Sequence, residues 1–142
     1  MEKTINELQD EVIGEFEPLT QWMDRYALLI EIGATLPDFD DRYKTGNYLI
    51  EGCQSRVWLG AILEEGKVIL RADSDALIVK GIVALLIRVL SGHKAQDILD
   101  AKLYFVDSIG LSEHLSPTRS NGLLAMIKQI RLYALAFKAM EG

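Results

Sequence analysis

The chain has 142 residues, 49% of them hydrophobic, with 15 basic and 21 acidic side chains, two histidines and one cysteine, and carries a net charge of -6. A chain of this length buries roughly 68 to 70% of its unfolded surface, which fits one soluble globular domain over residues 1–142 that needs neither disulfides nor a structural metal. The lone Cys53 excludes an internal disulfide, a four-cysteine zinc site and an iron-sulfur cluster held by this chain's own thiolates, and net acidity argues against nucleic acid as a partner.

Met1 to Asn6 contains Glu2 and Lys3 and lacks the apolar core of a signal peptide. The expected location is the cytoplasm, with a reduced thiol. Ile5, Leu8, Val12, Ile13 and Phe16 recur at mostly three- and four-residue steps, so a first amphipathic helix is predicted, ending before Pro18. A second follows after the candidate N-cap Thr20, carrying Trp22, Met23, Tyr26, Leu29, Ile30 and Gly33 and closing before Pro37.

From Asn47 the period changes. Tyr48-Leu49-Ile50 is a short strand candidate, and Arg56 to Glu64 alternates so that Val57, Leu59, Ala61 and Leu63 share a face. Glu65-Gly66 makes a tight turn into a returning strand over Lys67 to Ala72. Residues 47–72 thus predict a three-stranded antiparallel meander, with Cys53 in its first connection.

Asp73-Ser74-Asp75 offers cap side chains and favourable charge to an apolar helix from Ala76 to Leu90, stopped by Ser91-Gly92. Lys80 and Arg88 interrupt that block, which falls short of the roughly 20 residues that span a bilayer, so it reads as a central core helix and no membrane partner is expected. Short segments follow at Ala95 to Asp100 and Leu103 to Ile109. A last helix is predicted from about Asn121 to Met140, capped by Ser120 or Asn121 and turning Leu123, Met126, Ile127, Ile130, Tyr133 and Phe137 inward. Helices flanking a small antiparallel sheet make an α+β sandwich.

Cys53 sits in Glu51-Gly52-Cys53-Gln54-Ser55-Arg56, a polar connection where Gly52 permits a tight backbone and Arg56 with exposed amides would favour a thiolate. A buried packing cysteine and a reactive one both remain open on that reading. His93 follows a helix stop and reads as a turn residue, whereas His114, before Ser116-Pro117, is open between a turn and a partner for Cys53. Arg119 reads as a solvated turn residue, yet its position at a helix start opposes the macrodipole, which leaves room for an anionic partner. Asp73 and Asp75 read as helix-start carboxylates. No resident metal or cofactor is called for.

Three separated segments carry a resemblance. Glu51-Gly52-Cys53-Gln54-Ser55-Arg56-Val57-Trp58, then Asp73-Ser74-Asp75-Ala76-Leu77-Ile78-Val79-Lys80-Gly81, then Leu115-Ser116-Pro117-Thr118-Arg119-Ser120-Asn121-Gly122-Leu123 resemble, in order, the SufE family of cysteine desulfuration proteins, SufE- and CsdE-like sulfur acceptors. The resemblance implies the SufE/NifU-like sandwich. It also implies that Cys53 is a persulfide acceptor, taking sulfur from a SufS-like, pyridoxal-phosphate-dependent cysteine desulfurase, stimulating that enzyme and relaying the sulfur to iron-sulfur assembly on a SufBCD-type scaffold. The pyridoxal phosphate (PLP) belongs to the partner; this chain would carry only a transient persulfide and have no turnover of its own. Glu51, Gly52, Gln54, Ser55, Arg56, Asp73 and Arg119 become loop or partner-contact candidates. A stand-alone thiol enzyme and an IscU-type iron-sulfur scaffold are the alternatives, the latter disfavoured by a single cysteine.

Overall fold

The computed structural model describes residues 2–50 and 55–141. Helix α1 (Ile5–Phe16) begins with a reciprocal cap: Thr4 Oγ1 accepts from the Glu7 N–H at 3.1 Å and the Glu7 carboxylate accepts from the Thr4 N–H at 3.0 Å. Helix α2 (Trp22–Ala34) has Gln21, not Thr20, at its N-cap and no side-chain cap bond. Its start is held instead by Arg25, whose guanidinium donates to the carbonyls of Leu19 and Ile109 at 2.7 and 2.6 Å.

Strands β1 (Val57–Glu64) and β2 (Lys67–Ser74) form an antiparallel hairpin pairing Val57 with Ser74 through Glu64 with Lys67. Glu65 and Gly66 at its tip both have positive φ, 52° and 80°, the pair of left-handed residues that matches the right-handed twist of a hairpin. Val57, Leu59, Val68, Leu70 and Ala72 are buried on the inner face. Trp58, Gly60 and Ile62 alternate onto the outer face, opposite Asp73, Arg71 and Ile69.

The expected third strand is not formed. Leu49 makes one isolated bridge to Trp58, flanked by two bonds, Ile50 N–H to Val57 O and Leu59 N–H to Tyr48 O. The Tyr48 N–H closes a turn onto the Thr45 carbonyl, which peels the preceding residues away before they can run beside Ala61 and Leu63. The sheet therefore has two strands among the described residues.

Helix α3 (Leu77–Leu90) is central, packing on α1, α2, β2 and α7 with nine buried residues. Its N-cap is Ala76, without a side-chain cap bond; Asp73 and Ser74 belong to β2 rather than to a cap. Gly81 lets it touch α2: a Cβ there would lie 2.1 Å from the Leu29 carbonyl oxygen. Short helices α4 (Ala95–Asp100), α5 (Phe105–Ser108) and α6 (Leu111–His114) lead into α7 (Pro117–Glu141). Helix α7 starts four residues earlier than expected, because Pro117 occupies its first position and Ser116 Oγ accepts from the Arg119 N–H at 3.3 Å. Ser120 and Asn121 lie inside the helix. No helix among the described residues is long and apolar enough to cross a membrane.

Candidate functional site

Cys53, with Glu51, Gly52 and Gln54, lies outside the described residues, so the site is read from what holds its two flanks. Upstream, Ile50 is buried and its N–H donates to the Val57 carbonyl at 2.8 Å. Downstream, both polar groups of the Arg56 backbone are taken: its N–H donates to Asp75 Oδ1 at 3.1 Å, and its carbonyl accepts from Ser74 Oγ at 2.8 Å and from the Asp75 N–H at 3.3 Å. Ser55 is half-buried beside it and the Arg56 side chain is exposed. Cys53 is three residues from each post, so chain length alone keeps its Cα within roughly 11 Å of Ile50 and of Arg56.

Asp73 stands one strand position from this downstream post, facing Trp58 across the hairpin. Its side chain is 18% exposed and binds Lys44 Nζ at 2.9 Å and Lys80 Nζ at 3.2 Å, while Oδ1 also accepts from the Ser74 N–H at 2.8 Å. Burial pushes the Asp73 carboxyl up, but the Lys44 ammonium, the Ser74 amide and the Lys80 ammonium together outweigh it and hold the group below the usual carboxylate range. The same contact raises Lys44, to which Asp73 contributes most. Lys44 Nζ also lies 5.4 Å from the centre of the Trp58 ring. Segment 38–48 is thereby strapped over the outer face of the sheet. Asp73 is a two-cation tether, not a helix cap.

Arg119 is exposed in the first turn of α7, and among the described residues its side chain makes no hydrogen bond or ion pair to Ser55, Arg56 or Asp73. The structure thus brings Ser55, Arg56 and Asp73 to one end of the hairpin and leaves Arg119 on a separate element. Helix α7 does reach the upstream post further along: a cavity of about 420 Å³ is lined by Leu49 and Ile50 on one side and Ala125, Lys128, Gln129 and Leu132 on the other. Tyr133, one turn beyond, donates from its hydroxyl to the Leu59 carbonyl at 2.8 Å.

Neither histidine joins these residues. His93 uses its ring nitrogens on the Leu90 and Lys3 carbonyls at 3.3 and 2.9 Å. His114 stacks on Trp22, with centroids 3.9 Å apart and an interplanar angle of 17°, and its Nδ1 meets the Gly110 carbonyl at 3.1 Å. Among the described residues no cluster of three or more His, Cys, Asp or Glu side chains could hold a metal ion.

Sequence reasoning missed Lys44, Lys80, Tyr48 and Tyr133. Lys80 is the one with a readable signal, one of two cations in an otherwise apolar helix and seven residues after Asp73; Lys44 and Tyr133 reach their partners only through the fold.

A family model described as SufE: Fe-S metabolism associated domain matches residues 10–134. Among solved structures, the chain resembles a hypothetical protein from Thermus thermophilus, determined in solution, at 25% identity and a TM-score of 0.75, over 95% of this chain and 97% of that one.

Proposed function

The chain belongs to the SufE family, whose domain is associated with iron-sulfur metabolism, and from that premise we propose that it accepts sulfur on Cys53 from a cysteine desulfurase and passes it on for iron-sulfur cluster assembly. The observation that carries this reading is that the matched domain contains a single thiol, so any sulfur the chain carries covalently as a persulfide is carried at Cys53.

The step balances with two sulfur nucleophiles and no oxidant. The Cys53 thiolate attacks the terminal sulfur of the desulfurase's cysteine persulfide; a sulfur-sulfur bond forms to Cys53, the donor's sulfur-sulfur bond breaks, and the donor cysteine leaves as a thiolate. A second nearby thiol in this chain would discharge the product as a disulfide, so one cysteine is the favourable number. Tethering at Ile50 and Arg56 supports the reading too. It gives Cys53 a reach of roughly 11 Å from each post, enough to enter a partner's cleft while both posts stay bonded. Gly52, Gln54, Ser55 and Glu51 then belong to the presented segment, and Arg56 and Arg119 supply cations for an anionic sulfur or a partner carboxylate. The desulfurase contributes the pyridoxal phosphate chemistry that makes the persulfide.

The test mixes the chain with a cysteine desulfurase and L-cysteine and weighs the intact protein without reductant. Wild type is expected to gain one sulfur atom and to accelerate the desulfurase; Cys53→Ser is expected to do neither. A wild type that gains no sulfur with any of several desulfurases overturns the reading. So does sulfur on both proteins, which would mean that the carrier is not Cys53.

A further inference from the structure

Among its described side chains, helix α7 buries one side only. Leu123, Met126, Ile130 and Ala134 face the core, and at 3.6 residues per turn Leu124, Lys128, Leu132 and Leu135 share an arc of about 80° on the opposite side. All four are exposed, the leucines at 64%, 47% and 54%. Single exposed leucines scattered over a surface need no explanation, but three in one row along roughly 16 Å of helix make an apolar strip. Leu49, exposed on the other wall of the cavity of about 420 Å³, carries the strip across to the upstream post at Ile50.

The charge of this helix opposes that of the chain as a whole. From Ser116 to Met140 there is no aspartate or glutamate, while Arg119, Lys128, Arg131 and Lys138 are cationic, in a chain whose net charge is -6. Two of these cations are committed: Arg131 donates to the Ala101 carbonyl at 3.2 Å, and the Lys138 ammonium donates to the Gln96 side-chain oxygen. Arg119 lies on another side of the helix. Lys128 sits in the middle of the leucine row and on the wall of the cavity, and it makes no hydrogen bond or ion pair among the described residues. A surface seated here buries leucine side chains and stands opposite an uncompensated ammonium, so the surface that complements it is apolar with carboxylates at its rim. The same face of a second copy would bring leucines but no carboxylate.

We propose that the Leu124, Lys128, Leu132 and Leu135 face of α7, together with Leu49, docks the cysteine desulfurase through an apolar groove on that enzyme rimmed by aspartate or glutamate side chains, one of which pairs with Lys128. The assignment rests on the sulfur-transfer reading above and adds where the donor is held. Placement favours the donor. Ile50 lines the same cavity as Lys128 and Leu132, and the Cys53 Cα lies within roughly 11 Å of Ile50, so an enzyme seated on this face has Cys53 within reach of a neighbouring cleft. The short segment between Ile50 and Arg56 offers few contacts of its own, and a helix fixed in the core beside it supplies the affinity that aligning two sulfurs requires.

Binding and turnover are measured separately. The full chain with Cys53→Ser, which excludes covalent capture, is titrated calorimetrically against each desulfurase of the loading experiment. In that background Leu124→Glu and Leu135→Glu are each expected to weaken binding about tenfold, and Lys128→Glu about three- to tenfold with a flatter dependence on salt. Met23→Glu, at an exposed apolar position on α2, is expected to bind like its parent, and all four are expected to keep the parent's circular dichroism spectrum. With Cys53 in place, the three α7 variants should need about three- to tenfold more protein for half-maximal acceleration of the desulfurase, yet reach the wild-type sulfur load and rate at saturation. α7 variants that bind with unchanged affinity overturn the docking assignment, as does a parent chain that binds none of the desulfurases. Binding through this face with no sulfur gained on Cys53 overturns the sulfur-transfer reading instead. Variants that load normally but fail to pass sulfur on assign the face to the acceptor, and variants that abolish a dimer in sedimentation assign it to a second copy; either result removes the donor from it.

Discussion

Asp73 shows how a side chain's role follows from its neighbours rather than from its place in the chain. A carboxylate only 18% exposed on its side chain would be costly alone, and two ammonium groups and one amide offset that cost. Because its pKa is lowered on folding, the stability it contributes is present above the ordinary carboxylate value of 3.8 and is lost as pH falls through the lower, folded value. Asp73→Asn is therefore expected to cost about 1 to 3 kcal/mol near neutral pH, since Lys44 and Lys80 lose their counter-charge. In urea titrations the difference from wild type should shrink below pH 4, and a constant difference down to pH 2 would mean that ionisation is not what the site uses. The Asp73 motif was visible as a motif, yet its reading as a cap was wrong. Lys44 is 29 residues away, and no local pattern predicts an ion pair set by how segment 38–48 folds over the sheet.

Elements are held by geometry that the sequence states unevenly. The α2–α3 contact is written in Gly33 and Gly81, since a Cβ on Gly33 would lie 2.8 Å from the Gly81 nitrogen and one on Gly81 only 2.1 Å from the Leu29 oxygen. Gly81→Ala must push the helices apart and is expected to destabilise by about 3 kcal/mol, read as a lower thermal midpoint. Gly14 is the control: nothing lies within 4 Å of its added Cβ, so Gly14→Ala in α1 should instead stabilise by about 0.5 to 1 kcal/mol. At the hairpin tip Glu65 holds φ of 52° with a side chain that disfavours it. Glu65→Asn is expected to raise stability by about 0.5 kcal/mol; a loss would show that Glu65 has a role of its own. Helix α7 illustrates the opposite case. Pro117 is a helix starter as well as a breaker, and reading it only as a bend placed the start four residues late.

At the scale of the molecule, one hydrophobic cluster joins α1, α2, the inner face of the hairpin, α3 and α7. Gln9 is a fully buried polar residue within this fold, at 0% exposure. Its amide nitrogen donates to Asn6 Oδ1 and the Lys102 carbonyl at 3.2 and 3.0 Å, and its oxygen accepts from the Phe105 N–H at 3.2 Å, so it fastens α1 to the irregular chain before α5. Gln9→Leu leaves the Phe105 amide without its partner, while the Lys102 carbonyl keeps the Tyr104 N–H at 3.0 Å, and is expected to cost about 1 to 3 kcal/mol in chemical denaturation. A neutral result would mean that water replaces the side chain.

The positions of α1 to α5 and of the two hairpin strands, the central place of α3, the hairpin tip and the three family motifs were legible in the amino-acid sequence, because periodicity and turn chemistry act over a few residues, whereas α6 and the start of α7 were not. The lone cysteine likewise restricted the chemistry before any coordinates. The fold alone decided what lies across space: that Asp73 joins Lys44 and Lys80, that Arg56 is tied to Ser74 and Asp75, that the Arg119 side chain makes no bond to Ser55, Arg56 or Asp73 among the described residues, and that the third strand stops after one bridge. Each depends on the path of a distant segment, and the free energy that selects such a path is summed over the whole packed core rather than encoded near any one residue.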